Sequence, residues 1–195
     1  MWNFRTVRFR STDSPELMAQ AWRLRHRVFR ENLGWDVPSV DLLEFDCFDR
    51  DAWHCGVVSG DRLLGYLRAL CTLNPYLLER NFPALLNGHA APRSKKIWEI
   101  SRFAVSPDEP RRRQIGRMLI REGIAFGQDV GASQLIAVTD IAFERFMVGA
   151  GVPISRTGGP LRVGRGHSGD VEAVLITLDL SPARSIPTPI AVEAA

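Results

Sequence analysis

The order of strand-like and helical segments is the feature that most constrains the fold of this 195-residue chain. Alternating apolar and polar residues indicate strands, whereas apolar residues three and four apart indicate helices. Strands are predicted over residues 4–10, 53–58, 62–70, 97–105, 135–138 and 171–180, and helices over residues 15–33, 75–86, 111–130 and 141–148. Strands that alternate with helices are typical of layered α/β domains. We predict one α/β domain over residues 1–182, a mixed sheet flanked by helices, with a loosely held tail over residues 183–195.

Composition and charge narrow the classes of protein to which the chain can belong. With 45% hydrophobic and 24% charged residues, the chain can bury a full core. No segment approaches the roughly 20 apolar residues of a membrane span, and the N-terminus lacks a signal-peptide pattern, so we expect a cytoplasmic protein without a membrane partner. Three cysteines without a Cys-x-x-Cys motif predict neither a disulfide framework nor a metal site. The net charge of +3 and the scattered basic residues do not favour a nucleic-acid partner.

Two charges lie close together in the predicted strand over residues 97–105. Glu99 and Arg102 are three residues apart, so in a regular strand their side chains would point to opposite faces of the sheet. A β-bulge between them would turn both charges toward one cleft and free a backbone N–H to bind an oxygen atom of a substrate. We therefore predict chemistry at this stretch, which reads Trp-Glu-Ile-Ser-Arg-Phe-Ala over residues 98–104.

The end of the first predicted helix can form a clamp for a ligand. Arg25 and Phe29 are four residues apart and share a helix face, and Gly34 and Trp35 follow where the chain leaves the helix. An arginine flanked by aromatic rings can hold a carboxylate and a flat heterocycle. The alternative is a surface arginine beside two aromatic residues of the core, and these residues alone leave both interpretations open.

An acidic segment over residues 34–51 is predicted to be an ordered surface loop, of a length typical of functional covers. Its carboxylates beyond Asp36 are Asp41, Glu44, Asp46, Asp49 and Asp51. Near Arg25, Arg68 and Arg102, these groups can form a buried ion network or bind an ammonium or sulfonium cation. A loop that is merely solvated is the alternative.

The start of the predicted helix over residues 111–130 is similar to a phosphate-binding loop. It resembles the Gln/Arg-x-x-Gly-x-Gly/Ala pattern of the GCN5-related N-acetyltransferases, whose loop amides and helix N-terminus receive the pyrophosphate of coenzyme A. Arg113 and Gly116 match the pattern, whereas Met118 occupies its final small position. A basic helix start without a ligand is the alternative interpretation.

Most of the chain resembles the acyl-homoserine lactone synthases, the autoinducer synthases of bacterial quorum sensing, whose fold is similar to the GCN5-related N-acetyltransferases. The family pattern Trp-Glu-Leu-Ser-Arg-Phe fits residues 98–103 almost throughout. The pattern Arg-Leu-Leu-Pro-Thr-Thr-x-Pro-Tyr-Met-Leu fits residues 68–78, with departures that include Ala69, Cys71 and Leu73. The signature positions are filled, in order, by Arg25, Phe29, Trp35, Asp46, Asp49, Arg68, Glu99 and Arg102.

The resemblance implies a reaction between S-adenosylmethionine and a fatty acyl thioester. S-adenosylmethionine is then a substrate, and no separate cofactor is expected. Its amine attacks the thioester carbonyl, and its carboxylate then closes the lactone and releases 5'-methylthioadenosine. The resemblance implies that Glu99 is the general base and that backbone amides at Arg102 and Phe103 stabilise the oxyanion.

The resemblance also implies which residues bind S-adenosylmethionine. Arg25, Phe29 and Trp35 would clamp this substrate. Asp46 and Asp49 would place the acidic loop or balance the positive charge of the substrate. Arg68 and Arg102 would hold those carboxylates in position.

In the family, the acyl tail lies between the sheet and the helices of the C-terminal half. The residues implied for this pocket are Ile100, Ala137, Thr139, Phe146, Met147 and Leu175. Ala137 falls where several synthases of 3-oxoacyl products carry a threonine, so we expect an unsubstituted acyl chain. The acyl donor is either an acyl-coenzyme A or an acyl carrier protein, because the basic residues near residues 145–165 suit both partners.

Two other functions are compatible with parts of the sequence. A plain N-acyltransferase acting on another amine would explain Gly116 but not Arg25, Trp35 and the acidic loop. A sensor that binds S-adenosylmethionine or an acyl ligand without catalysis would be expected to lack a catalytic or clamp residue, yet Glu99 and Arg25 are both present.

Overall fold

The computed structural model describes residues 3–181, which form a seven-stranded mixed sheet with helices on both faces. The strands are β1 (Phe4–Phe9), β2 (Ser39–Val40), β3 (Leu43–Glu44), β4 (Trp53–Ser59), β5 (Arg62–Cys71), β6 (Ile97–Val105), β7 (Gln134–Asp140), β8 (Ser155–Gly166) and β9 (Gly169–Asp179). The α-helices are α1 (Pro15–Arg25), α2 (Leu77–Asn81), α3 (Arg112–Asp129) and α4 (Ile141–Gly149). A π-helical segment over His26–Asn32 continues α1, and short 3-10 turns cover Asp49–Asp51 and Pro83–Leu86. The large sheet has the order β1-β4-β5-β6-β7-β9-β8, and β2 and β3 form a separate small hairpin.

The two faces of the sheet bury different helices because side chains alternate along each strand. On β5, Tyr66 and Leu70 belong to apolar clusters that include α1 and α2. Leu67 and Ala69 belong to the cluster formed with α3 on the other face. The predicted mixed sheet flanked by helices is therefore confirmed. Within residues 3–181, no helix is both long enough and apolar enough to cross a membrane.

Most predicted elements are confirmed, and three strands were missed: β8, and the two-residue strands β2 and β3 within the predicted acidic loop. The hairpin of β4 and β5, the strand β6 and the helices α3 and α4 lie where the sequence predicts them, and β1 is an edge strand as expected. β8 was not predicted because Gly158, Gly159 and Pro160 are typical of a loop. The structure pairs β8 with β9 and shifts the register between Thr157 and Leu161, where those residues lie, as is usual for glycine and proline within a sheet. The predicted tail over residues 183–195 lies outside the described residues.

Two neighbouring strands separate in the middle of the sheet. β6 and β7 are parallel, and they pair only from Ile97 and Gln134 to Glu99 and Ile136. Beyond these residues β6 continues beside β5, and β7 continues beside β9, but the two strands no longer pair with each other. The separation opens a gap through the sheet that begins at Ile100 and Ala137.

Candidate functional site

A cleft of about 690 Å³ occupies the gap between β6 and β7. Phe29, Trp35 and Arg102 line one part of it, next to the end of the first helix and the acidic loop. The residues Ile100, Phe103, Ala137 and Phe143 line another part, next to α4, and they also border a separate apolar cavity of about 60 Å³. The cleft therefore joins a charged, aromatic region to an apolar one.

The predicted bulge lies in β6 at Arg102. The register of the β5–β6 ladder shifts by one residue there, so that Leu67 faces both Arg102 and Phe103. Arg102 has a φ of +56°, which is uncommon for a residue that carries a side chain. The bulge directs the guanidinium of Arg102 to the acidic loop, whereas the Phe103 ring contacts the Phe143 ring, with 4.5 Å between the ring centroids. The bulge thus directs these two adjacent side chains to different surroundings, Arg102 to carboxylates and Phe103 to an aromatic ring.

Arg102 belongs to a closed ring of six alternating charges, which we call the charge ring. Its members, in order, are Arg25, Glu44, Arg102, Asp46, Arg68 and Asp49, which returns to Arg25. The arginines come from α1, β5 and β6, and the carboxylates all come from residues 44–49. Because the charges balance and each is hydrogen-bonded, the ring can be buried, and it attaches the acidic loop to three elements of the core.

Hydrogen bonds of normal length connect most members of the charge ring. The distances are 2.6 Å from Arg25 Nη1 to Asp49 Oδ1, 2.8 Å from Arg68 Nη1 to Asp49 Oδ1, 2.8 Å from Arg102 Nη2 to Asp46 Oδ2 and 3.0 Å from Arg102 Nε to Glu44 Oε1. In addition, Arg25 Nε donates to Glu44 and Arg68 Nη1 donates to Asp46. Burial alone would raise the pKa of Asp49, but Arg25 and Arg68 lower this pKa to about 2. Asp49 therefore stays ionised at neutral pH.

Arg25 does not lie at the surface of the cleft, where a clamp is expected, because it belongs to the charge ring. Its side chain is fully buried, and neither Arg25 nor Arg68 nor Asp49 lines the cleft. The geometry puts these residues one layer beneath the cleft wall, so a direct clamp on a substrate carboxylate is not formed by Arg25 in this arrangement. Its contact with S-adenosylmethionine stays a prediction. The expectation that Arg68 and Arg102 hold the acidic loop agrees with the observed hydrogen bonds.

Phe29 and Trp35 form a stacked pair at the wall of the cleft. Their ring centroids are 5.5 Å apart and their planes differ by 8°. The guanidinium carbon of Arg102 lies 5.9 Å from the centroid of Phe29. An aromatic surface beside a positive group suits a flat heterocycle, and the partly exposed Trp35 ring can also face a cation.

Glu99 is fully buried at the start of α2. Its two carboxylate oxygens accept hydrogen bonds from the backbone N–H groups of Leu77, at 2.9 Å, and Leu78, at 2.7 Å. Burial raises the pKa of Glu99 to about 7, and the two amide donors oppose this effect only in part. The expectation that both charges of the bulged strand face one cleft is therefore wrong for Glu99, which lies behind Leu77, a residue of the cleft wall.

His54 connects the charge ring to the core. Its Nε2 is 3.1 Å from the carbonyl oxygen of Asp49, which can only accept, so Nε2 carries the proton. Nδ1 of the neutral ring then accepts from the hydroxyl of Tyr66, at 2.7 Å. Burial lowers the pKa of His54 to about 4, with partial opposition from Asp49. His54 is therefore uncharged at neutral pH.

Four of the six residues expected in the acyl pocket line one of the two spaces. Ile100 and Ala137 border both the cleft and the apolar cavity, Thr139 borders the cleft and Met147 borders the cavity. The other two line neither space, and their role in binding the acyl chain stays a prediction. Phe146 packs against Gly116 of α3, and Leu175 belongs to the core cluster around α2.

The predicted phosphate loop has a packing explanation in the structure. Gly116 is buried in the first turns of α3, and a Cβ atom at this position would lie 3.0 Å from the Phe146 ring. Glycine thus allows α3 and α4 to pack closely here, whereas Arg113 is exposed. Gly116 does not by itself indicate a phosphate site.

Known proteins are similar to this chain over most of its length. The family model described as autoinducer synthase matches residues 10–185 of the chain. The acyl-homoserine-lactone synthase of Aeromonas hydrophila is 35% identical over 149 residues, which cover 73% of this chain and 72% of that protein.

The chain belongs to the autoinducer synthase family.

Two solved structures share its fold. The acyl-homoserine lactone synthase LasI superimposes with a TM-score of 0.82 at 28% identity, covering 92% of this chain and 91% of LasI. TofI superimposes with a TM-score of 0.74 at 33% identity, covering 88% of this chain and 90% of TofI. A more distant N-acetyltransferase structure, from Lactobacillus plantarum, has a TM-score of 0.61 at 17% identity over 91% of this chain and 98% of its own, which confirms the predicted acetyltransferase-like fold. The synthase is an acyltransferase, as the sequence predicted.

Several residues at the site of the synthase were not predicted. Glu44, fully buried between Arg25 and Arg102, had been noted only as part of the acidic loop. The turn between β8 and β9 packs on the segment after the first helix, where the N–H of His167 donates to the carbonyl of Leu33 at 2.9 Å. As a result, residues 163–165 form part of the cleft wall. A sequence signal existed for Glu44, which is one of the carboxylates of the acidic segment, but none existed for the β8–β9 turn.

The stability of the synthase at acid pH depends on two buried groups with opposite effects. The pKa of His54 falls from 6.5 to about 4 on folding, so the unfolded chain binds an extra proton in this range and stability decreases as the pH falls. The pKa of Glu99 rises from 4.5 to about 7, so the folded chain binds the extra proton and stability increases as the pH falls. Between pH 6.5 and 4.5 the two effects nearly cancel.

Replacement of Glu99 by Gln should expose the contribution of His54. We expect the free energy of unfolding of Glu99→Gln to fall by roughly 1.4 kcal/mol per pH unit between pH 6.5 and 4.5, whereas that of the wild type changes little. Urea unfolding at four pH values measures both slopes. The matched variant His54→Gln should have the opposite slope, because it retains Glu99. Equal slopes for the wild type and both variants would contradict the assignment.

Proposed function

We propose that the synthase makes an N-acyl-L-homoserine lactone from S-adenosylmethionine and an acyl thioester, with release of 5'-methylthioadenosine. The observation that carries this proposal is the cleft at the separation of β6 and β7, which joins an aromatic, charged region to an apolar one. The two substrates have matching chemistry, since one is a charged nucleoside derivative and the other carries an alkyl chain. The related TofI has been solved in a ternary complex with an inhibitor and 5'-methylthioadenosine (MTA).

In this proposal S-adenosylmethionine lies at the aromatic end of the cleft. Phe29 and Trp35, which line this end, contact its adenine ring or sulfonium group. Arg102 is the member of the charge ring that lines the cleft, and it faces the substrate carboxylate. Arg25, Arg68, Asp46 and Asp49 act as positioning residues, because their mutual hydrogen bonds fix Arg102 and the loop that leads to the cleft.

The acyl transfer step requires a base. The nitrogen of S-adenosylmethionine bonds to the thioester carbonyl carbon, the C–S bond breaks and the thiolate leaves, while the nitrogen loses a proton. Glu99 accepts this proton through a water molecule that enters with the substrates, since each of its oxygens retains a lone pair after accepting one amide N–H. A pKa of about 7 suits a base at neutral pH. The amides of Arg102 and Phe103 at the bulge stabilise the oxyanion.

Lactone formation is intramolecular. A carboxylate oxygen of the acylated intermediate bonds to the γ carbon of its methionine side chain, the bond from that carbon to the sulfonium sulfur breaks, and the electron pair stays on the sulfur of 5'-methylthioadenosine. No proton transfer is needed, so the contribution of the synthase is to hold the carboxylate close to that carbon. Arg102 and the aromatic pair supply this orientation.

The acyl chain lies between β6, β7 and α4 in this proposal. Ile100, Ala137 and Thr139 border the first part of its path, and Met147 borders the apolar cavity beyond. Ala137 offers no hydroxyl to a 3-oxo group, which supports an unsubstituted chain. Either coenzyme A or acyl carrier protein serves as the carrier.

A product assay tests the proposed function. Purified synthase is mixed with S-adenosylmethionine and saturated acyl donors of graded length, each on coenzyme A and on acyl carrier protein, and both products are followed by mass spectrometry. We expect acyl-homoserine lactone and 5'-methylthioadenosine in equal amounts from at least one donor, and neither product without a donor. Acylated amine without 5'-methylthioadenosine would indicate a plain acyltransferase. Binding of S-adenosylmethionine without any product would indicate a sensor.

A further inference from the structure

Helix α3 carries three buried glycines on one face, Gly116, Gly123 and Gly127. Glycine in a helix interior costs about 1 kcal/mol relative to alanine, so each position calls for a physical reason. A Cβ atom at Gly116 would lie 3.0 Å from the Phe146 ring, and one at Gly127 would lie 2.7 Å from Leu180 and 3.0 Å from Leu135. Close packing therefore explains these two glycines.

Gly123 has a different environment. A Cβ atom there would meet only one atom within 4 Å, the terminal Cδ2 of Leu67 at 3.2 Å, which can move by rotation of its side chain. Gly123 instead borders the apolar cavity of about 60 Å³, together with Ile120 and Ile124 of the same helix. The absence of a side chain at Gly123 thus provides space that no other group of the protein fills.

The apolar cavity lies directly behind the cleft. Ile100, Phe103, Ala137 and Phe143 border both spaces, so the cavity adjoins the cleft along these side chains. Phe143 is partly exposed and lies on α4, with its ring against that of Phe103. The lining of the cavity is almost entirely apolar, so the space suits an alkyl group.

We infer that Gly123 sets the greatest length of acyl chain that the synthase accepts. The inference rests on the proposed function. Rotation of the Phe143 ring joins the cleft to the cavity, and the last carbons of the chain lie against the backbone of Gly123. A side chain at residue 123 either fills this space itself or pushes Leu67, which also lines the cavity, into it.

The test compares chain-length profiles of the wild type with Gly123→Ala and Gly123→Val. For the longest saturated donor that the wild type uses, we expect kcat/KM to fall at least about tenfold in Gly123→Ala and further in Gly123→Val, since one methylene in an apolar pocket changes kcat/KM by roughly 10- to 200-fold. The shortest donor used should change less than about twofold. Gly149→Ala is the matched control, because a Cβ atom there meets nothing within 4 Å.

The outcomes separate the inference from the proposed function. An unchanged length profile in both Gly123 variants, with an active wild type, would overturn the inference alone. An equal loss for short and long donors would also overturn it, because general damage to the synthase has no length dependence. Thermal unfolding of each variant shows whether the fold is kept. A wild type that forms neither product from any donor would remove the proposed function and the inference together.

Discussion

Replacing Glu99 by Gln is expected to lower kcat by about 10²- to 10⁴-fold while the fold is retained, which is the usual contribution of a general base. Gln has nearly the same shape as Glu and keeps one carbonyl oxygen to accept an amide from Leu77 or Leu78. It cannot take a proton from the attacking nitrogen. Steady-state release of 5'-methylthioadenosine measures the loss, and circular dichroism checks the fold.

The pH profile distinguishes a base from a mere anchor for α2. If Glu99 is the base, wild-type kcat/KM should rise with pH through about 7, where Glu99 ionises, and the residual activity of Glu99→Gln should lack this rise. An anchor would leave the rise in place. Glu79→Gln is the matched control, because Glu79 lies on the same helix but pairs with Arg93 away from the cleft. A fully active Glu99→Gln would exclude Glu99 as the base.

The bulge could be predicted from the sequence because it is local. Two charges three residues apart conflict with the two-residue period of a strand, and a bulge resolves that conflict within β6. The stacked pair of Phe29 and Trp35 was likewise accessible, since both residues are close in the chain. Local sequence thus predicted the residues at one end of the cleft.

The burial of the charged side chains could not be predicted from the local sequence. From the sequence, Arg25 could be a clamp or a surface residue. Its partners Glu44 and Asp49 are 19 and 24 residues away and contact it only in the folded chain. Glu99 reads as a cleft residue, but the two amides that hold it come from residues 77 and 78. Whether an ionisable group faces solvent or a buried partner is decided by tertiary packing.

Sequence patterns also did not predict the packing partners of two apolar residues or the strand β8. Phe146 and Leu175 are apolar residues on elements that border the cleft, yet one packs on Gly116 and the other joins the core around α2. Periodicity identifies a buried residue but not which of two adjoining apolar spaces it fills. In β8, glycine and proline hide a strand that exists because β9 supplies its hydrogen bonds.

Replacing Arg68 by Ala is expected to lower the free energy of unfolding by about 3–5 kcal/mol, the usual cost of removing one partner from a buried ion pair. Arg68 is fully buried, bonds to Asp46, Asp49 and Ser101, and lies 5.5 Å from the Phe48 ring. Its loss leaves two carboxylates of the charge ring with one arginine each. Arg68→Lys should fall between Ala and the wild type, because an ammonium keeps the charge but not the planar fork. Urea unfolding at neutral pH measures these differences.

Arg162→Ala is the matched control for this prediction. Arg162 pairs with Asp170 at 3.2 Å, but both side chains are largely exposed, so its removal should cost less than about 1 kcal/mol. Added salt should weaken the contribution of the exposed pair and leave that of the charge ring nearly unchanged, because buried charges are screened little. A loss of stability in Arg68→Ala no larger than that in Arg162→Ala would show that the charge ring does not hold the acidic loop. In that case the position of Arg102 in the cleft would depend on the bulge alone.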